Sequence, residues 1–223
     1  MVMPNIMMFR CVALAACFLT WAAQAPAPSI LVPPTAPGAA SLPYVKTKAP
    51  VIVLRHVRII DGTGAAAQED RTVILKDGRI AAVGDASVAV PDEAEVHDLD
   101  GHTVLPGLVG MHDHMFYVAS PNAGAHGHSE PPLLVPQMTF SAPRLYLAAG
   151  VTTLRTTGSV EIYADLNLKT LIDAGELPGP HLDVTGPYLD GPGSSFIQMR
   201  RLKDAEDARR VVEFWADEGV TSF

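Results

Sequence analysis

The sequence predicts an α/β protein in which a small β domain at residues 50–107 precedes the first half of a (β/α)8 barrel at residues 108–223. β-Branched runs closed by glycine-containing turns dominate the first segment. Strand and helix patterns alternate in the second segment, as they do in parallel sheets. That segment is about half as long as the roughly 250 residues of a complete eight-stranded barrel. With 48% hydrophobic and 18% charged residues, the 223-residue chain can bury a sizeable core.

The first residues have the pattern of an export signal. Arg10 is the only charged side chain before the apolar run CVALAACFLTWAA at residues 11–23. This run is shorter than the about 20 apolar residues that span a bilayer, and it is typical of a signal-peptide core. Ala23-Gln24-Ala25 offers a cleavage site, although Pro26 after it is unfavourable. The sequence therefore predicts a signal peptide at residues 1–25 and a periplasmic or secreted protein.

Alternatives for the N-terminus stay open. Thr20-Trp21-Ala22 is an alternative candidate for the cleavage site, and Leu14-Ala15-Ala16-Cys17 resembles a lipobox. There are two alternatives to cleaved export. The first is a lipoprotein anchored through Cys17, and the second is a protein anchored by an uncleaved signal segment. After cleavage we expect a mature N-terminus between Ala23 and Ser29 and no stable membrane span.

Composition limits the partners and ligands of the mature chain. Both cysteines, Cys11 and Cys17, lie in the first twenty residues, so a metal site elsewhere must use His, Asp, Glu or Lys. The net charge of -8 argues against a nucleic-acid binder, which would need a basic face. Residues 26–49 are rich in Pro and Ala and are interpreted as an extended, poorly packed linker.

The segment at residues 50–107 is expected to be mostly antiparallel. Asp77-Gly78 separates two apolar runs, which is a strong hairpin signal because both residues tolerate positive φ. Two further short strands are expected around Asp100-Gly101.

Repeated strand and helix units follow Gly107. A buried strand is predicted at Leu108–His114, and residues 115–138 are predicted to be a long loop. The next predicted element is a helix from Ser141 to a stop at Gly150, with an apolar side at Leu145, Leu147 and Ala148. It is followed by a strand at 150–158, a helix ending near Ala174 and a strand from His181. A helix starting near Asp204 and a fourth strand at 220–223 complete the predicted elements.

His112 and His114 form the central candidate site. Residues i and i+2 of a strand point to the same side, so the two imidazoles project together. They lie at the carboxyl end of a predicted parallel strand, where barrel active sites are found. Paired histidines on a strand also occur as surface or core residues. Imidazole is a common ligand of Zn²⁺ and related ions, and two adjacent histidines are costly to bury without a partner, which favours a metal site.

The ordered motifs VIVLRHVRIIDGTG, VILKDGRIAAVG, GHTVLPGLVGMHDHM and GVTTLRTTG resemble the N-terminal half of the amidohydrolase superfamily over residues 51–223. The resemblance is strongest to imidazolonepropionase-like enzymes and to metal-dependent dipeptidases of the Xaa-Pro or Xaa-Arg type. It implies a TIM barrel beside a small β-sandwich, with His112 and His114 as ligands of the more buried of two divalent ions, expected to be Zn²⁺. It also implies a bridging lysine directly after Phe223, two later histidines and an aspartate that transfers protons. The catalytic general base therefore lies beyond Phe223, and the chain is interpreted as an inactive N-terminal fragment.

The implied chemistry is metal-assisted hydrolysis of carbon–nitrogen bonds by activated water. Dipeptides and N-acyl amino acids are the expected small-molecule or peptide substrates. Cyclic amides of the imidazolone type and a non-catalytic binding module on the same fold are the alternatives. The sequence leaves open whether the protein is a homo-oligomer.

Four other polar residues have both a functional and a structural interpretation. Tyr188 and Asp190 are candidate substrate contacts, with turn chemistry as the alternative. His126 and His128 are interpreted as solvated residues of a loop above the barrel mouth, with substrate contact as the alternative.

Two residues near the histidine pair are expected to have structural roles. Asp113 alternates away from the histidines, so packing or hydrogen bonding outside the site is expected. Arg155 is expected to form an ion pair rather than to bind substrate. Thr156 stands where many members of the resembled family carry an aspartate.

Overall fold

The computed structural model describes residues 36–119, 123–124, 127–128, 133–135, 141–193 and 199–223. The predicted signal peptide, Cys11, Cys17 and the first part of the predicted linker lie outside the described residues. Within the described ranges, the model contains no helix that is both long and apolar enough to cross a membrane.

A five-stranded mixed sheet forms the N-terminal part of the fold. Its strands are β1 (Val51–Ile59), β2 (Gln68–Lys76), β3 (Arg79–Gly84), β4 (Glu95–Asp98) and β5 (Thr103–Val104). The order is β3-β2-β1-β4, and β5 also pairs with β1. The hairpin predicted between β2 and β3 is confirmed, with Asp77 and Gly78 at φ of 51° and 70°.

β4 and β5 differ from the mostly antiparallel expectation, because both pair with β1 in parallel. After β3, residues 85–94 carry the chain back across the sheet to the edge of β1 that is not paired with β2. Strands β4 and β5 therefore run in the same direction as β1. β4 then pairs with the first half of β1 and β5 with the second half, on either side of the turn at Asp100-Gly101. Val51 and Val53 on β1 are buried by this arrangement.

The predicted loop at residues 115–138 contains antiparallel pairs. β7 (Tyr117–Ala119) pairs with β10 (Leu133–Val135), and β8 (Ala123–Gly124) pairs with β9 (Gly127–His128). The loop prediction is wrong for these residues because strands of two or three residues are too short to leave a periodic signal in the sequence.

The C-terminal part alternates strands and helices as predicted. It contains β6 (Leu108–Asp113), α1 (Ser141–Ala148), β11 (Val151–Thr156), α2 (Ile162–Asp173), β12 (His181–Asp183), β13 (Tyr188–Asp190), β14 (Met199–Arg201) and α3 (Ala205–Asp217). β6, β11 and β12 form a parallel sheet in the order β12-β11-β6. The α/β class is therefore observed, whereas the β-sandwich and the half-barrel remain predictions.

The predicted fourth strand does not form as a regular strand. Residues 220–223 make two backbone hydrogen bonds to the segment after β12, from Thr221 N to Val184 O and from Gly186 N to Ser222 O. An unpredicted parallel pair, β13 with β14, follows that segment in the chain.

One face of the parallel sheet packs against the helices. Leu154 on β11 and Leu182 on β12 are opposite each other in register and fully buried, and they belong to one core cluster with Leu168 and Ile172 of α2. The prediction that β6 is buried is wrong, since Val109 and Met111 are 58% and 63% exposed. Within the described residues β6 has a neighbouring strand on one side only, and no described element covers the side chains of Val109 and Met111.

Helix α1 also differs from its predicted packing. Leu145 and Leu147, expected on its apolar side, are exposed, and the helix instead buries Ala142 and Pro143 in its first turn. The pattern of three apolar residues was too short to orient an eight-residue helix.

Part of the predicted linker packs against the β/α region. Ser41 is buried, and its hydroxyl donates to the carbonyl of Gly175 after α2 at 2.8 Å. Tyr44 receives a hydrogen bond from the Arg144 guanidinium of α1 at 2.6 Å. The expected poor packing therefore does not apply to Ser41, whereas Leu42 and Tyr44 remain exposed.

Candidate metal centre

His112 and His114 lie close together at the carboxyl end of β6. Their ring centroids are 5.8 Å apart and the ring planes are inclined by 85°. A zinc–nitrogen bond of about 2.0–2.1 Å places the ion about 3.2 Å from an imidazole centroid, so two rings that share one ion at a tetrahedral angle have centroids about 5.2 Å apart. The observed separation is about 0.6 Å longer than this. The two side chains therefore fit a divalent metal ion by residue type, and a small rotation of either ring would bring the spacing to the tetrahedral value.

The environment of His114 favours the form that binds metals. Burial is the main cause that lowers the pKa of His114, and the neighbouring His112 lowers it further. The charge of Asp113 and a hydrogen bond with the backbone of Gly158 act in the opposite direction. At neutral pH the ring is therefore predominantly neutral, and neutral imidazole is the ligand form.

Hydrogen bonds from α1 and from the residue after β11 hold the backbone carbonyls of Asp113 and His114. The Tyr146 hydroxyl donates to the carbonyl of His114 at 3.1 Å, and Thr157 N donates to the carbonyl of Asp113 at 3.1 Å. The Asp113 carboxylate folds over Gly110, where a Cβ atom would meet it at 1.8 Å. It also contributes to raising the pKa of Tyr146, whose main cause is burial. The predicted place of Asp113, outside the histidine pair, is confirmed.

The structure brings Tyr188 to the histidine pair. Its hydroxyl oxygen is 3.3 Å from Nε2 of His114, and the two ring centroids are 6.1 Å apart. Asp190 has a different environment: it is exposed, and its carboxylate accepts a hydrogen bond from Gly191 N at 2.7 Å. Tyr188 and Asp190 were both predicted to contact the substrate. Among the described contacts, only those of Tyr188 reach the histidine pair.

The ion pair predicted for Arg155 is confirmed. Arg155 and Asp183 are register partners across β11 and β12, with 3.9 Å between Nε and a carboxylate oxygen. The guanidinium also donates to the Ser222 hydroxyl at 2.8 Å. Both partners are partly exposed, so the pair contributes at most about 1 kcal/mol to stability.

Sequence reasoning missed a buried group of hydroxyls beneath Tyr188. We call Thr156, Ser159 and Thr185 the hydroxyl cluster; each is at most 2% exposed. Asp165 of α2, 1% exposed, adjoins it. Thr156 in place of an expected aspartate was the one available signal, because nothing in the sequence separates the other residues from ordinary turn and helix residues.

Other predicted residues lie outside this centre or outside the described structure. His126 is not among the described residues, and only the backbone of His128 is described, in β9. The described ranges contain no group of three or more His, Cys, Asp or Glu side chains arranged to hold a metal ion. Among the described residues, the candidate site therefore consists of the two imidazoles of His112 and His114.

This fold and site define an α/β protein with a histidine pair at the carboxyl end of a parallel strand. No protein-family model matches the chain. A dihydroorotase of Syntrophus aciditrophicus is 40% identical over 65 residues, which are 29% of this chain and 15% of the relative. An imidazolonepropionase of Nocardia farcinica is 44% identical over 50 residues, which are 22% of this chain and 12% of the relative.

Solved structures match over a longer part of the chain. A Bifidobacterium longum protein provisionally described as a prolidase has 29% identity and a TM-score of 0.62, over 77% of this chain and 39% of that one. A Xaa-Pro dipeptidase with bound methionine has 20% identity and a TM-score of 0.60, over 76% of this chain and 45% of that one, and shows likeness of fold alone. The chain thus spans less than half the length of these proteins. With the ordered motifs, these matches show that the chain belongs to the amidohydrolase superfamily.

Proposed function

We propose that the protein is a metal-dependent hydrolase that cleaves amide carbon–nitrogen bonds. The observation that carries this proposal is the pair of imidazoles at 5.8 Å at the carboxyl end of β6. Superfamily membership supports the same reaction class. In this proposal His112 and His114 would hold one of two divalent ions, expected to be Zn²⁺.

A bound divalent ion supplies Lewis acidity, which lowers the pKa of water and polarises a carbonyl. The residues of this chain contribute orientation. His114 is held by its backbone hydrogen bond to Tyr146 and by its burial, and the Tyr188 hydroxyl lies 3.3 Å from its Nε2 atom. In this position Tyr188 can contact a substrate carbonyl or amide.

Dipeptides and N-acyl amino acids are the proposed substrates. The match to a prolidase-like structure at 29% identity supports this class. The test is turnover of a dipeptide panel by the intact protein, before and after treatment with a chelator. We expect hydrolysis that is lost with the metal and returns when Zn²⁺ is added. Turnover that is insensitive to chelator would contradict the metal mechanism.

The match to an imidazolonepropionase favours cyclic amides of the imidazolone type as the second candidate class. The same assay with cyclic amides separates the two classes by their relative kcat/KM. The rival from another class is a binding module that keeps the fold without catalysis. Purified intact protein without stoichiometric metal and without turnover on either panel would support that rival.

We also propose that the protein is exported, on the basis of Arg10 and the apolar run at residues 11–23. Periplasmic or secreted location with a mature N-terminus between Ala23 and Ser29 is expected. N-terminal sequencing of protein from the native host tests this. A sequence that starts at Met1 would contradict cleavage, and a lipid on Cys17 would show the lipoprotein alternative.

A further inference from the structure

We propose that the hydroxyl cluster of Thr156, Ser159 and Thr185 is a positioning network that holds Tyr188 beside His114. The contribution of this network to catalysis rests on the proposed function. Its effect on the geometry of the two rings does not, because that geometry can be measured without metal or substrate.

The cluster joins the ends of two neighbouring strands. The Thr156 hydroxyl at the end of β11 lies 2.9 Å from the Ser159 hydroxyl and 3.2 Å from the Thr185 hydroxyl. Thr185 N, two residues beyond β12, donates to the Thr156 hydroxyl at 2.9 Å. These contacts connect two segments that have no regular strand pairing beyond residue 156, so side chains replace the backbone ladder there.

The cluster reaches Tyr188 through Gly158. Gly158 N donates to the Thr185 hydroxyl at 2.9 Å, and Ser159 N donates to the carbonyl of Gly186 at 3.0 Å. Gly158 has a φ of +76°, and a Cβ atom on it would lie 2.5 Å from the Tyr188 ring. The backbone of Gly158 is thus the surface on which the Tyr188 ring rests. Moving Gly158 would move the Tyr188 hydroxyl relative to Nε2 of His114.

Asp165 anchors the other end of the network. Its side chain is buried in α2, and one carboxylate oxygen has no hydrogen-bond partner among the described residues. A hydrogen bond from the Ser159 side chain stabilises the charged carboxylate. The chain of contacts therefore runs from Asp165 through Ser159, Thr156 and Thr185 to Gly158.

A packing role alone does not account for these residue types. Valine has nearly the shape of threonine and would fill the same volume without burying a hydroxyl. Buried polar networks instead fix one arrangement of the backbone, since each bond has a required direction. Here the fixed segment is the irregular turn at residues 157–159, directly under the Tyr188 ring.

The test compares Thr185→Val with Thr185→Ser in metal-free protein. Valine removes the acceptor of Gly158 N and keeps the shape, whereas serine keeps the hydroxyl and removes the methyl group. With ¹³C-labelled His and Tyr, we expect the nuclear Overhauser contact between the His114 and Tyr188 rings to be lost or at least halved in Thr185→Val. Thr185→Ser should retain it. A contact of unchanged intensity in folded Thr185→Val, or loss in both variants, would overturn the proposal.

A measurement on the unmodified chain keeps the proposal testable if Thr185→Val does not fold. Gly158 N lies outside the strands and helices, yet it donates to a buried hydroxyl. Its amide should therefore exchange with solvent at least about tenfold more slowly than an unprotected amide. Exchange of Gly158 N at the unprotected rate would overturn the network. Titration of the same sample with Zn²⁺ tests the proposed metal site separately, so the two results can fail independently.

Discussion

The Tyr188 hydroxyl and Nε2 of His114 are 3.3 Å apart, and this contact joins the end of β6 to the start of β13. Strand β13 comes seventy-odd residues later in the chain, so the contact is purely tertiary. It places a phenol beside Nε2, one of the two ring nitrogens through which an imidazole can bind a metal ion. A metal ion that binds at Nε2 would therefore compete with the tyrosine hydroxyl.

Replacing Tyr188 by Phe tests this competition. We expect Tyr188→Phe to bind Zn²⁺ more tightly by roughly 2- to 10-fold, because a hydrogen bond worth about 0.5–1.5 kcal/mol no longer has to be broken. Isothermal titration measures the affinity. Tyr163→Phe, at an exposed position on α2, is the matched control. Weaker Zn²⁺ binding by Tyr188→Phe would mean that the hydroxyl supports the metal instead.

Replacing either histidine of the pair should abolish tight metal binding. We expect His112→Ala and His114→Ala to weaken Zn²⁺ binding by at least about 100-fold, beyond the 10- to 100-fold cost of losing an outer-shell partner. Activity of the intact protein should fall with it, while circular dichroism shows an unchanged fold. His102→Ala, in a turn of the N-terminal sheet, should bind like the parent. Equal affinity in all three variants would place the ion elsewhere.

Gly158→Ala should displace Tyr188. The new Cβ atom would meet the tyrosine ring at 2.5 Å, and the positive φ adds about 1–2 kcal/mol of strain. Gly64→Ala is the matched control, since Gly64 has a φ of +85° and no atom within 4 Å of the new Cβ. Urea unfolding should show a larger loss for Gly158→Ala, and the His114–Tyr188 ring contact should disappear in that variant alone. Equal losses would show that backbone strain is the whole effect.

Asp165 should make stability depend on pH. Burial raises the pKa of Asp165 from 3.8 to about 6. Because the pKa of Asp165 is higher in the folded state than in the unfolded state, folding favours its neutral form. The contribution of neutral Asp165 to the free energy of unfolding is fully present below about pH 4 and is lost as the pH rises through 6. The loss is about 3 kcal/mol. Asp165→Asn should remove this loss, whereas Asp173→Asn, an exposed position on the same helix, should keep it. The measurement is the free energy of unfolding between pH 4.5 and 7.5. If Asp165 had an ordinary pKa, the curves of the parent protein and of Asp165→Asn would run parallel over this range.

The local sequence was sufficient to predict elements with strong signals. Asp77-Gly78 specified a hairpin because two adjacent residues that accept positive φ leave few other conformations. Helix α3 begins as predicted after Asp204, whose carboxylate accepts a hydrogen bond from Asp207 N. The short strands at residues 117–135 and the exposure of β6 were missed, since pairing partners and neighbours decide both.

What the sequence by itself determined is the chemistry available at each position. The i, i+2 spacing of His112 and His114 put two imidazoles on one side of a strand, and the ordered motifs identified the superfamily. Only the tertiary structure decided what surrounds them. Tyr188 reaches His114 because Gly158 has no side chain and because Thr156 and Thr185 meet across the ends of neighbouring strands. Such contacts depend on distances between residues far apart in the chain, which residue types and periodicity do not encode.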